Sequence, residues 1–274
     1  MPENDASANN QRRHNYLLFL VCSATIAVVI VTIVTVAGGG IHQPNRDHIS
    51  VNDPRPVALA AQTLEKKYGW IITYEDPPYV HETELVDVTE KVRRDLDKFK
   101  PGQAPKVFIP KGGDLAFEYS IDPATKRPAD SAVVVQGLLD AYAIAGNPGV
   151  FRLDRDGVRL HIVATAVKGK DGALVSRRPV LDAPITVLAQ KRNGLDLLDA
   201  FCSALSQAIG TKVILGSAPL NLFYRYQTES GAKDQRANDF LSNELDRVTN
   251  KRKLSWQLLY DPGTKTYFLN IHVV

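Results

Sequence analysis

The sequence predicts a mixed α/β (α+β) protein: an N-terminal transmembrane helix followed by two tandem small βαββαββ modules. Three observations carry this expectation. From Tyr16 to Ala37 the chain runs for 22 residues without a charge. A helix-length apolar stripe, ended by a glycine and followed by a β-type run, occurs twice. After each copy come a second helical face and a β-hairpin, so the repeat extends beyond one helix.

The apolar span, at about 1.5 Å per residue, is long enough to cross a hydrocarbon core of roughly 30 Å, and a lone span in lipid must be helical to satisfy its own backbone. Gln11-Arg12-Arg13-His14 precedes it and Gly38-Gly39-Gly40 follows. The positive-inside bias therefore places residues 1–15 in the cytoplasm as a tail, 16–37 in the lipid bilayer and the remainder outside. A cleaved signal peptide is the rival, with Val36-Ala37-Gly38 as its small-residue site, but its apolar core usually holds about 7–15 residues. Residues 38–52, with three glycines and Pro44, read as a linker. The net charge of +3, from 33 basic and 30 acidic residues, is unclustered and points away from nucleic acid as a partner. Cys22 and Cys202 fall in different environments, so no internal disulfide is expected.

A first module is expected over 53–167. Asp53-Pro54 starts a helix whose face is Val57, Ala60, Ala61, Leu64 and Tyr68, Gly69 stops it, and Trp70–Tyr74 follows as a strand. Adding 141 to these numbers lands on Leu198, Phe201, Cys202, Leu205, Ile209 and Gly210 of a second module, 179–274. There Asn193 caps the helix with Asp196 three residues on, and Cys202 sits on the apolar face as a small hydrophobe.

After Asp130, the face Val134, Leu138, Tyr142 and Ala145 matches Ala237, Leu241, Leu245 and Val248 after Asp234, each 103 residues on. Hairpins then turn through Asp154–Gly157 and Asp261–Gly263, where Asp and Gly suit tight reversals. Phe151 and Trp256 hold equivalent places. Further strands are expected at Leu115–Ser120, Pro184–Ala189 and Leu222–Gln227. From Gly69 to Asp130 is 61 residues and from Gly210 to Asp234 is 24, so the first module carries an insertion, 75–112, of a length that is more often functional or disordered than neutral.

The second unit carries the string L-D-L-L-D-A-F-C-S-A-L-S-Q-A-I-G-T-K-V-I-L, then Leu222-Phe223-Tyr224-Arg225-Tyr226, Ala237-Asn238-Asp239-Phe240-Leu241 and the closing Leu254–Val274 hairpin. From about Ala183 to Val274 it resembles the secretin and TonB N-terminus short domain family. Residues 53–165 join the resemblance only through the internal repeat. The resemblance implies periplasmic modules that dock to proteins or form rings without catalysis. With the anchor it implies a single-pass bacterial inner-membrane protein, N-terminus cytoplasmic and C-terminal region periplasmic. Gate and receptor activities are not carried over, since the likeness is confined to the modules.

Candidate chemistry is sparse. Ser230 and Lys233 match a Ser-x-x-Lys pair, but two residues make a weak pattern and its companion motifs are absent; a turn leading into a helix accounts for it. His81, Glu82, Glu84 and Asp87 lack a second histidine at ligand spacing, so no metal or cofactor is expected. Asp154 and Asp156 belong to a hairpin turn too short for a calcium loop. Two features suit binding. Tyr74, Pro77, Pro78 and Tyr79, with His81 beyond them, read as a stiff loop presenting aromatics. Tyr224 and Tyr226 lie in a run apolar on both faces, read as a central strand, or else as a sheet edge that pairs with a partner. The expected function is a non-catalytic, membrane-anchored periplasmic protein-binding or assembly module, partnered by envelope proteins or by itself. The alternatives are an envelope hydrolase with its site in 75–112, using His81, Glu82 or Glu84 as base, and a secreted soluble binding protein.

Overall fold

The computed structural model describes residues 45–248 and 252–274. The expected tail and membrane span, 1–15 and 16–37, lie outside the described residues. Among the described residues no helix is long and apolar enough to cross a membrane.

The first half of the described chain runs β1 (Arg46–Asp53), α1 (Pro56–Tyr68), β2 (Ile71–Glu75), β3 (Leu85–Asp87), α2 (Thr89–Val92), β4 (Phe108–Pro110), β5 (Gly113–Ser120), α3 (Ser131–Ile144), β6 (Val150–Asp156), β7 (Arg159–Lys168) and β8 (Leu174–Ser176). The second runs β9 (Pro184–Val187), β10 (Arg192–Asn193), α4 (Gly194–Ile209), β11 (Lys212–Ser217), α5 (Leu220–Arg225), β12 (Gln227–Thr228), β13 (Ala232–Arg236), α6 (Ala237–Val248), β14 (Leu254–Asp261) and β15 (Thr266–Val273). The architecture is mixed α/β.

Local chemistry sets the main helices. Asn193 accepts from the N–H groups of Leu195 and Asp196 at 2.9 and 3.0 Å, and Gly210 ends α4 at φ +66°. Asp130 caps α3 by accepting from Ala132 N–H. α1 begins two residues later than the Asp53-Pro54 pair suggests, because Pro56 takes the first-turn place and the Asp53 carboxylate accepts from Arg55 N–H ahead of it. Gly69, at φ +67°, stops it.

Both halves pair their strands alike. β1 lies antiparallel to β5, and β9 to β13; β2 runs parallel to β7, and β11 to β15; β6 lies antiparallel to β7, and β14 to β15. The offset of 141 survives as register, since Ile71 faces Arg159 and Lys212 faces Thr266 at the start of each parallel pair. The halves are nevertheless fused. Parallel pairing of β14 with β2, Gln257 opposite Tyr74 and Leu258 opposite Glu75, gives one seven-stranded sheet in the order β11-β15-β14-β2-β7-β6, with β8 on β7.

Two apolar cores flank this sheet. One gathers Val57, Ala61, Leu64, Ile72, Leu138 and Ile162; the other gathers Leu198, Phe201, Leu205, Leu241, Trp256 and Leu258. β14 serves both, for Trp256, Leu258 and Tyr260 enter the second core while Leu259, between them, packs against the first. This is strand alternation used on two sides.

Three sequence expectations are corrected. Residues 46–52, read as linker, belong to β1, whose partner β5 is far along the chain. Leu222–Gln227 is not a strand: Leu220–Arg225 is a helical turn anchored by buried Phe223, and the counterpart of β5 is β13. Ser230–Lys233 accordingly leads into β13 rather than into a helix.

Candidate functional site

The Tyr74–Tyr79 stretch, expected on the surface, is interior. Tyr74, Pro77 and Tyr79 are buried and Pro78 is half-buried, because β14 closes over the end of β2. Asp76 is the pivot. Its carboxylate is fully buried and meets Arg55 Nε at 2.6 Å, Tyr74 OH at 2.7 Å and Tyr260 N–H at 2.9 Å, while Arg55 also donates to Tyr260 carbonyl at 2.6 Å. The neighbouring Glu75 is buried as well, and its two oxygens accept from the N–H groups of Val180 and Leu181. Burial pushes its carboxyl up to about 8, against the pull of those two donors. These side chains tie the first half to both the start and the end of the second.

His161 lies in the same shared region. Its Nδ1 is 2.7 Å from Thr73 Oγ1 and its ring stacks on Trp256, and burial pushes its pKa down to about 4. On its strand, Arg159 pairs with Asp246 of α6. Arg55, Glu75, Asp76 and His161 belong to no sequence motif.

The insertion is held by the groups considered as its chemistry. His81 Nδ1 accepts from Thr83 N–H at 3.2 Å and caps the 3-10 turn Glu82–Glu84, and it also lies 2.8 Å from Thr83 Oγ1. Glu84 is buried and accepts from Gly149 and Lys168 N–H groups at 3.3 and 3.2 Å, so it docks the insertion on the loop before β6 and the end of β7. Glu82 stays exposed and Asp87 pairs with Lys106 at 3.3 Å. A cleft of about 550 Å³ in the insertion mixes Asp87 and Glu90 with Lys91, Lys100 and Lys106. Among the described residues no three His, Cys, Asp or Glu side chains cluster as metal ligands. Ser230 lies 2.7 Å from Thr228 Oγ1 and accepts from Arg247.

Of the aromatic pair Tyr224 and Tyr226, Tyr224 on α5 is 68% exposed, whereas Tyr226, just past its end, is half-buried and donates to Glu244 at 3.2 Å. The larger accessible feature is the sheet's own pair of ends. Among the described residues β6 and β11 each have a strand partner on one side only. Beside β11 runs a groove of about 420 Å³ lined by Asp199, Cys202 and Ser206 of α4 and by Lys212, Val213 and Leu215. Buried Cys202 contributes only to its wall, with its thiol pushed up to about 12 by burial. The groove escaped the sequence reading because edge status depends on which strands pair over long distances.

No protein-family model, curated protein or solved structure matches this chain.

Proposed function

We propose that the chain is a non-catalytic assembly module of the bacterial envelope, anchored in the inner membrane by residues 16–37 with two tandem βαββαββ modules in the periplasm, where it binds other envelope proteins. The observation that carries this proposal is the pair of single-sided strands ending the seven-stranded sheet, β6 and β11, the latter beside an open groove. Strand edges offer unpaired backbone donors and acceptors that an incoming strand satisfies, with side-chain grooves supplying specificity. His81 caps a turn of the insertion and Glu84 docks it, which favours binding over hydrolysis. The anchor rests on the uncharged run from Tyr16 to Ala37 and its flanking charges. The resemblance of Ala183–Val274 to secretin and TonB N-terminus short domains supports a periplasmic docking role.

The test is affinity capture of the full chain from solubilised membranes, with mass-spectrometric identification of what accompanies it. Reproducible recovery of envelope components is expected, lost on substitution along β11. Recovery of none overturns the proposal. A mature N-terminus near Gly39 would instead identify a secreted soluble binding protein.

A further inference from the structure

The two single-sided strands are the duplicates of the two strands that join the halves. Within the chain, β14 of the second half pairs with β2 of the first. The strand matching β2 is β11, since both run parallel to the second strand of their own module's hairpin, and the strand matching β14 is β6, the first strand of the other hairpin. We infer that a second copy of this chain occupies these edges: β6 of one copy pairs in parallel with β11 of the next, repeating the internal junction between molecules. The inference rests on the binding proposal and adds a second copy of this chain to its partners.

The residues at the internal junction and their duplicates fit this repeat. At the junction Gln257 donates to Ala58 carbonyl at 3.1 Å, Ser255 donates to Ile72 carbonyl at 3.0 Å, and Ile72 N–H donates to Glu65 at 2.9 Å. Pairing register makes Arg152 the counterpart of Gln257 and Leu153 of Leu258, while the bulge between Val150 and Phe151 leaves β6 without a counterpart of Ser255. On the other side, Asp199 stands for Ala58, Ser206 for Glu65 and Val213 for Ile72.

One hydrogen bond of the junction recurs on the β11 side. Ser206 accepts from Val213 N–H at 2.8 Å as Glu65 does from Ile72 N–H, and its hydroxyl lies 2.6 Å from Cys202 carbonyl and 3.2 Å from Val213 carbonyl. Charge is matched too: Arg152, exposed and bonded to Asp154 at 2.6 Å, takes the place of a neutral amide where the opposite helix presents Asp199. The alternating charges of β6 disfavour unselective strand addition while suiting this edge. Because the contact joins unlike surfaces, it propagates head to tail and does not stop at a dimer.

The experiment is sedimentation velocity of the purified full chain in mild detergent across a wide concentration range, with Arg152→Glu, Asp199→Arg and the double variant. Wild type is expected to form species larger than dimers. Each single variant should need at least about tenfold more protein for half-association, and the double variant should recover it because the charges are exchanged. Both residues are exposed, and unchanged circular dichroism checks that the variants fold. All the variants share residues 16–37, so association that persists equally in every one arises elsewhere and overturns the inference. A wild-type chain that stays a single small species also overturns it. If capture recovers other envelope proteins while the chain does not self-associate, only this inference falls; self-association without capture removes the other-protein partners instead.

Discussion

Asp76→Ala is the perturbation that most directly tests the fusion of the two halves. It removes a fully buried carboxylate that holds Arg55 at 2.6 Å, Tyr74 hydroxyl at 2.7 Å and the β14 amide of Tyr260 at 2.9 Å. Breaking a buried ion pair by deleting one member costs about 3–5 kcal/mol, because the other charge is left behind. Arg55 keeps 19% of its side chain exposed and retains its bond to Tyr260 carbonyl, so water and that carbonyl compensate in part and about 3 kcal/mol is expected. That is a factor of roughly 100 in the folded-to-unfolded ratio. Urea unfolding followed by tryptophan fluorescence measures it, and the chain supplies one reporter per half, Trp70 stacked on Tyr68 and Trp256 on β14. In Trp70→Phe and Trp256→Phe backgrounds the two reporters should share one midpoint in the parent, since the sheet is continuous. Asp76→Ala should lower both or separate them. A loss below about 0.5 kcal/mol, the size of an ordinary surface substitution, would refute the assignment of Asp76 as the tie between halves.

Glu75 and His161 give the fold a pH dependence of opposite signs. The Glu75 carboxyl, raised in the fold from 4.5 to about 8, stabilises below pH 4.5 and that contribution is lost as pH rises to about 8, whereas His161, lowered from 6.5 to about 4, stabilises above pH 6.5 and that is lost as pH falls towards 4. The two oppose each other between 4.5 and 6.5, so urea midpoints should decline mainly from pH 6.5 to 8; Glu75→Gln should abolish that decline and expose a rise from about pH 4 to 6.5, and an unchanged profile counts against the assignment. Gly112→Ala would set a Cβ 2.4 Å from Pro54 carbonyl oxygen and 2.5 Å from that of Asp53, an overlap with backbone expected to cost about 2–3 kcal/mol in thermal unfolding; wild-type stability would show that the insertion does not cross there. Cys202, buried with its thiol held neutral, should resist alkylation in a Cys22→Ser chain until urea unfolds it, and rapid native labelling would contradict its place in the core.

What was legible in the sequence was what is fixed locally. Asn193 with Gly210 bounds α4 because a cap and a left-handed glycine act within one turn, and Asp154–Gly157 marks a hairpin for the same reason. The offset of 141 was visible because both halves bury the same helical face, and it reappears in the pairing of Ile71 and Lys212. Where partners are remote the signal failed. β1 is polar on alternate positions and is a strand only through β5, 72 residues apart at the Arg46–Glu118 contact. Leu222–Tyr226 has strand-like composition, but Phe223 alone enters the core and closes on Gly194, whose added Cβ would lie 2.8 Å from Phe223 carbonyl oxygen, so tertiary packing chose the helix. The Tyr74–Tyr79 stretch has a loop's composition and a core's surroundings, because Leu258 carbonyl accepts from Asp76 N–H across 182 positions of sequence.

The fusion also explains why the insertion departs from the end of β2. In the second half the chain leaves β11 and reaches β13 after α5 and β12, a short path over an edge that stays open. In the first half the same exit is occupied, since β14 lies beside β2 and Tyr260 is bonded to Asp76. The chain instead runs through the insertion and returns at Gly112, which passes against the carbonyls of Asp53 and Pro54. On the way Glu84 secures it to the loop before β6 and to the end of β7. The insertion thus begins where the intramolecular junction closes the end of β2, and its His81 and Glu84 serve its own structure. Shortening the insertion should lower stability while leaving β11 able to bind, whereas Asp199→Arg should impair binding and spare the fold; the reverse pattern would place the binding surface back in residues 75–112.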